Sequence, residues 1–395
     1  MPSEFYRPSM TIFLDADFFE FDPYFVFGPG AFSNSHPILR EYIHEMLHFW
    51  QTLSQYYLTD LACLELEYMI KYEKERTITP DCKLIEKYIE FNHKNPEFGF
   101  SAFNLSEALC RFWDLRIFGP LELIVLEHDK IGISKEKAEI LAESEEMSIM
   151  TPYGKRAYKN NAIDFLMQIL DVYSEPYRFL LERWGSIKAE TVFPVIAYYA
   201  LKSPSPAEVF VKAANSLMES STIAQAIYDA QADKKRSIHH LWDRLFGFIK
   251  SHCNKIILEL TDDELFQPGL ILISQKVKKN DFSFFDNNII YRHYLSLLEM
   301  MKESFYLDRL FAFPGNPDSR QKLGAYLIPP LTILRNGRWI GDSLMSTVFQ
   351  YRMLSKNLNL GPKTQDLKNS DELANEAQNL TNRFLNFKRE LNIIL

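Results

Sequence analysis

Apolar residues recur at helical spacing through most of this chain, so the departures from that rhythm stand out. From Ser35 to Leu58 (SHPILREYIHEMLHFWQTLSQYYL), Ile43, Met46, Leu47, Phe49, Trp50 and Leu53 surround almost the whole helical wheel. That pattern predicts a buried helix. Ser35 suits an N-cap, Pro37 suits the first turn, and no Gly or Pro interrupts the pattern from Ile38 to Leu58. Helical patterns continue over Asp60–Lys74, Asp81–Asn92 and Ser101–Ile117, the last with Asn104 or Ser106 as a cap. They resume over Lys135–Met150, Ala162–Arg183, Ala207–Asp233, Leu241–Leu260 and Ile289–Phe311. No internal repeat or low-complexity segment is present.

Two stretches break the rhythm. Met10 to Phe27 is rich in Phe, Ile and Val, with Pro23 and Gly28 as turn signals, and predicts two or three short strands. A small sheet there would form a wall beside the first helix. Phe313 to Gly341 is rich in Pro and Gly, and Asn336-Gly337 lies between apolar runs, a hairpin signal. At the C-terminal end, Leu373, Ala377, Leu380, Phe384, Phe387, Leu391 and Ile394 alternate by fours and threes. The seam spans about three heptads, short enough to dock on its own domain and also able to form a homodimer. The fold expected is mainly α with a small N-terminal β-sheet (α+β). Its parts are residues 1–130 with the strands and first helices, 131–360 as a helical region completing a cleft, and 361–395 as an amphipathic helix.

Composition narrows the function classes. The 395 residues are 47% hydrophobic with only 14 glycines, which favours a large helical core over disorder or a turn-rich β fold. A net charge of −8 without a long basic stripe argues against general nucleic-acid binding. Cys63, Cys82, Cys110 and Cys253 are scattered, which suggests reduced thiols and an intracellular setting. The first residues lack the pattern of a signal peptide, and the most apolar window, Val192–Leu201, is too short to span a membrane. A cytoplasmic protein without a membrane partner is expected.

The chemistry is concentrated in the first helix. His44-Glu45-Met46-Leu47-His48 is an H-E-x-x-H. Histidines one helical turn apart share a face, so both imidazoles can reach one Zn²⁺. Glu45 beside them is placed to take a proton from water and deliver it to a leaving amine. A catalytic zinc site takes a third protein ligand. No Gly and third His follow at metzincin spacing, so a Glu from a later helix is expected: Glu65, Glu67, Glu107 or Glu219. Glu41 and Gln51, each three positions from a ligand histidine, are candidates to orient the imidazoles.

Ser106-Glu107-Ala108-Leu109-Cys110-Arg111-Phe112-Trp113-Asp114 resembles the third-ligand helix of gluzincin metallopeptidases, whose aminopeptidase form reads N-E-G-F-A-x-Y-x-E. The resemblance implies Glu107 as the ligand, Ala108 and Cys110 as small residues that let two helices approach, and Asp114 as the trailing acid. Neprilysin-like enzymes carry Asp where this chain has Arg111, and the aminopeptidase G-x-M-E-N is absent. Gln51 makes the first motif similar to bacterial H-E-x-x-H-x-x-Q metallopeptidases, some with a later E-S-x-A helix. That feature keeps Glu219, followed by Ser220, as the alternative third ligand. The resemblance covers residues 37–114 and implies a zincin-like fold, Zn²⁺ as cofactor and Glu45 as catalytic residue of a peptidase. The expected intracellular location, where general proteolysis must be avoided, in turn predicts a narrow cleft and a specific protein or peptide substrate.

Two other classes compete. Glu41-x-x-His44 and Glu90-x-x-His93 match the E-x-x-H of di-iron carboxylate bundles, which would make the chain an oxidoreductase. Alternatively the chain is a non-enzymatic helical interaction protein with a degenerate H-E-x-x-H.

Overall fold

A computed structural model describes residues 3–7, 11–16, 37–76, 83–118, 134–136, 174–218, 220–221, 224–225, 331–336, 379 and 381–391. Of these, 75% are helical, which bears out the mainly α class. Three strands are described: β1 (Glu4–Tyr6), β2 (Thr11–Leu14) and β3 (Leu331–Leu334). They form one sheet in the order β1-β2-β3. β1 pairs antiparallel with β2, setting Phe5 against Ile12, and β2 pairs parallel with β3, setting Ile12 against Thr332. The sheet is therefore not wholly N-terminal. The apolar run before Asn336-Gly337 pairs with β2; Gly337 and the second arm of the expected hairpin lie outside the described residues. Arg335 secures this long-range pairing, its Nε 2.7 Å from Asp15 Oδ1 and its Nη2 2.7 Å from the Asp15 carbonyl.

The first helix, α1 (Pro37–Ser54), stops short of the predicted end, and α2 (Tyr56–Glu75) begins after one extended residue, Gln55. The break leaves backbone groups that need partners. Tyr57 N–H is taken by the Leu201 carbonyl at 3.1 Å, and the Thr59 hydroxyl donates to the Thr52 and Gln55 carbonyls. α2 ends where Arg76 turns into the left-handed region at φ 57°, its N–H bonded to the Tyr72 carbonyl.

After α3 (Lys83–Asn92), a turn through Gly99 leads into α4 (Ala102–Phe118). The cap of α4 is Ser101 and not Asn104 or Ser106. Ser101 Oγ accepts from Asn104 N–H at 3.2 Å while Asn104 Oδ1 accepts from Ser101 N–H at 2.9 Å. This is a capping box with Asn in the usual Glu position.

α4 is the hub. It packs against α1 and α3 on one side and against α5 (Glu175–Trp184), α6 (Ser186–Ala200) and α7 (Pro206–Met218) on the other. Phe112 lies 5.5 Å from Phe193 between ring centres, and Phe193 lies 5.2 Å from Tyr177 and 6.0 Å from Phe210. α6 carries the most apolar window of the sequence, and its Val192 to Leu201 are buried in this core. No helix among the described residues is long and apolar enough to cross a membrane.

Among the polar links that join the N-terminal strands to the helices, two lie away from the first helix. Arg7 Nη2 lies 3.0 Å from Glu65 Oε1, which also accepts from the Tyr88 hydroxyl. Glu65 is fully buried on α2. Burial opposes the charge on Arg7, but Glu65 outweighs it and holds the guanidinium's pKa above its ordinary value. The second link is the C-terminal helix α8 (381–391). Arg383 makes a two-pronged pair with Glu73, Phe387 sits 5.9 Å from Tyr72, and Lys388 reaches Glu4 at 3.3 Å. Phe384, Phe387 and Leu391 of the apolar seam are buried within the same chain.

Replacing Glu65 with Ala strands the Arg7 guanidinium and the Tyr88 hydroxyl. Urea unfolding is expected to show a loss of about 3–5 kcal/mol, with a smaller loss for Glu65→Gln, which still accepts a hydrogen bond.

Candidate metal centre

The centre is built where α1 crosses α4. His44 and His48 project from one face of α1, their rings edge-on at 84° with centroids 4.9 Å apart. Glu107 approaches from the second turn of α4. His44 Nε2 and His48 Nε2 are 3.3 Å apart. Glu107 Oε2 lies 3.5 Å from His44 Nε2, and Oε1 lies 3.3 Å from His48 Nε2.

These distances exceed the roughly 2.9–3.0 Å of a well-made N–H···O bond. The three groups converge on a common point more than they bond one another. Four tetrahedral ligands with bonds of about 2.0–2.1 Å leave neighbouring donor atoms about 3.3 Å apart. The observed spacings are close to that figure. Two imidazoles and one carboxylate are a donor set suited to Zn²⁺ and its first-row neighbours. Among the described residues, this is the one group of His, Cys, Asp and Glu with donor atoms converging closely enough for an ion.

Access is narrow. The side chains of His44, His48 and Glu107 are 17%, 15% and 19% exposed. Burial pushes the Glu107 carboxyl up. The His48 charge, the hydrogen bonds from both imidazoles and the His44 charge together outweigh it and hold the group well below the ordinary carboxylate range. Glu45 behaves oppositely. Burial raises it, and the two histidines and a hydrogen bond from the Phe5 backbone N–H only partly offset the rise, to which Glu107 adds. Two neighbouring carboxyls are thus driven apart, the arrangement expected of one ligand and one proton carrier. Phe5 belongs to β1 and packs edge-on against Phe49, its ring centre 5.9 Å away. The strand beside Glu45 is therefore β1, which precedes the Met10–Phe27 stretch that the pattern names as the wall; β2 lies within that stretch.

The register between the helices is held by Gln51, one turn beyond His48. Its Nε2 donates to the Ser106 carbonyl at 3.0 Å, and its Oε1 accepts from the Ser106 hydroxyl at 2.6 Å. Both residues are buried. Gln51 therefore grips the residue next to Glu107 instead of an imidazole. Glu41, the other candidate orienter, is exposed and accepts from the Ser3 hydroxyl at 2.6 Å.

The remaining sequence candidates are elsewhere. Glu65 is held by Arg7 and Tyr88, and Glu67 is exposed on α2. Glu219 lies outside the described residues, as do His239, His240 and His293. Glu90 and His93, the second E-x-x-H, are exposed and line a cleft of about 540 Å³ beside Phe98 and Pro206, apart from the His44 cluster. Sequence reasoning missed the direct neighbour of an imidazole: Cys110 Sγ lies 3.4 Å from His48 Nδ1. The available signal was its position, three residues after Glu107 on the same helical face.

No known protein family, curated protein or solved structure matches this chain significantly. The functional reading therefore rests on the geometry of the cluster.

Replacing Gln51 with Ala leaves the buried Ser106 hydroxyl unsatisfied and frees the register. Guanidinium unfolding is expected to show a loss of about 1–3 kcal/mol with the helical circular dichroism retained.

Proposed function

We propose that this chain is a zinc-dependent metallopeptidase of gluzincin type. The reading is carried by the near-tetrahedral spacing of His44 Nε2, His48 Nε2 and the Glu107 carboxylate, with Glu45 beside them. His44, His48 and Glu107 would hold the ion. Bound Zn²⁺ supplies Lewis acidity, polarising a peptide carbonyl and making water a stronger nucleophile.

The rest is the work of the chain's own groups. Glu45 takes a proton as water adds to the carbonyl carbon, then hands it to the amide nitrogen as the C–N bond breaks. Burial raises the affinity of Glu45 for a proton, which accords with a role as proton carrier. The Phe5 N–H orients the Glu45 carboxylate. The narrow access to the three ligands favours a specific protein or peptide in an extended conformation over general proteolysis. An intracellular setting belongs to the same reading and rests on the scattered cysteines, none in a C-x-x-C.

Elemental analysis by mass spectrometry tests the reading. About one zinc per chain is expected, lost in His44→Ala and in Glu107→Ala. Zinc retained by Glu107→Ala would shift the third ligand to Glu219. Glu45→Gln is expected to keep fold and zinc while peptide cleavage falls about 10²–10⁴-fold. About two irons per chain would instead favour the di-iron carboxylate class. No metal after reconstitution would overturn both readings and leave a helical interaction protein.

A further inference from the structure

We infer that Cys110 is a positioning residue for the metal centre: its sulfur holds the Nδ1 proton of His48 and so leaves the Nε2 lone pair facing the ion. The inference rests on the metal reading of the site, and its geometry is independent of which ion binds.

A neutral imidazole carries one proton on two nitrogens, and only the bare nitrogen can ligate. The surroundings of His48 distinguish the two. Nε2 faces the cluster, 3.3 Å from both His44 Nε2 and Glu107 Oε1. Nδ1 faces Cys110 Sγ at 3.4 Å, within reach of an N–H···S hydrogen bond. Cys110 is fully buried, so its sulfur forms part of a closed contact on that side of the ring. A proton on Nδ1 meets the sulfur, whereas a proton on Nε2 meets Glu107 Oε1 at 3.3 Å and occupies the nitrogen an ion would need, so the Cys110 contact weights the ring toward the ligating tautomer.

The same helix face supplies each part of this arrangement. Ser106, Glu107 and Cys110 lie within about one turn of α4, so the Gln51–Ser106 clamp that places the carboxylate also places the sulfur. Ligating histidines usually donate their second N–H to a carboxylate, a carbonyl or water. A thiol sulfur is a weaker acceptor. It fixes ring orientation and tautomer without adding a buried negative charge beside Glu107 and Glu45. The small Cys side chain also lets α1 and α4 approach, so one residue serves both packing and orientation.

The test uses the full-length protein with Cys110 changed to Ala, Val and Ser. In the metal-free protein, nitrogen NMR of the imidazoles is expected to show a larger share of the His48 Nδ1–H tautomer in the wild type than in Ala and Val, where Glu107 alone draws the proton to Nε2. Ser should restore it. Competition titration with Zn²⁺ should show affinity falling about 10–100-fold in Ala and Val and recovering in Ser. Val fills the space left by sulfur, so a loss shared by Ala and Val but not Ser separates hydrogen bonding from packing. Unchanged tautomer and affinity in Ala and Val would overturn the inference. If the wild-type protein bound no zinc, the metal reading would fail, while the tautomer measurement would still decide the Cys110–His48 contact.

Discussion

The close contact between α1 and α4, locked by the reciprocal hydrogen bonds of Gln51 and Ser106, is the constraint on which the centre depends. Helix pairs tolerate sliding when only apolar side chains meet. They tolerate it poorly when a buried amide must satisfy both its donor and its acceptor on one partner residue. A one-residue slip of α4 would swing Glu107 about 100° around its axis and orphan both polar groups of the clamp. The carboxylate therefore reaches the two imidazoles because another pair of residues, one turn away, has no comparable alternative.

The remaining architecture stabilises that crossing. α4 is gripped from behind by the aromatic cluster of Phe112, Tyr177, Phe193 and Phe210. On the other flank, β1 brings the Phe5 N–H to Glu45 and is itself anchored twice. Arg7 ties its end to α2 and α3 through Glu65 and Tyr88, and Lys388 of α8 ties its beginning through Glu4. Buried charge serves two purposes in this molecule. At Glu65 it is compensated and structural, whereas at the α1–α4 crossing imidazoles and carboxyls converge without a fully satisfying partner among themselves.

Local chemistry made part of this legible in the linear chain. The apolar circumference of Ser35–Leu58 required burial, and H-E-x-x-H spacing required both histidines to share a face. The apolar seam of the tail carried two uses, and Phe384 and Phe387 are buried within the chain. Where reading failed, a longer-range force had intervened. Gln55 interrupts a pattern with no local breaker because Leu201 can accept the freed Tyr57 N–H. Ser101 displaces Asn104 as the cap because Asn104 reciprocates from three residues on. Leu331–Leu334 pairs with β2, near the other end of the chain, a partner that no local pattern names, and Arg335 and Asp15 hold the pairing.

Periodicity and motif by themselves determined the helical class, the face of α1 that carries both histidines and a short set of candidate carboxylates. Among those carboxylates they could not choose, since Glu65, Glu67, Glu107 and Glu219 all lie on helical patterns. Tertiary structure separated the three that are described. Glu65 went to Arg7 and Tyr88, Glu67 faced solvent, and Glu107 was brought to the histidines beside the clamp. The partners of Gln51 and Cys110 were decided in the same way. A hydrogen-bond partner depends on which helix face arrives opposite, and that is a property of the packed pair, not of either sequence segment alone.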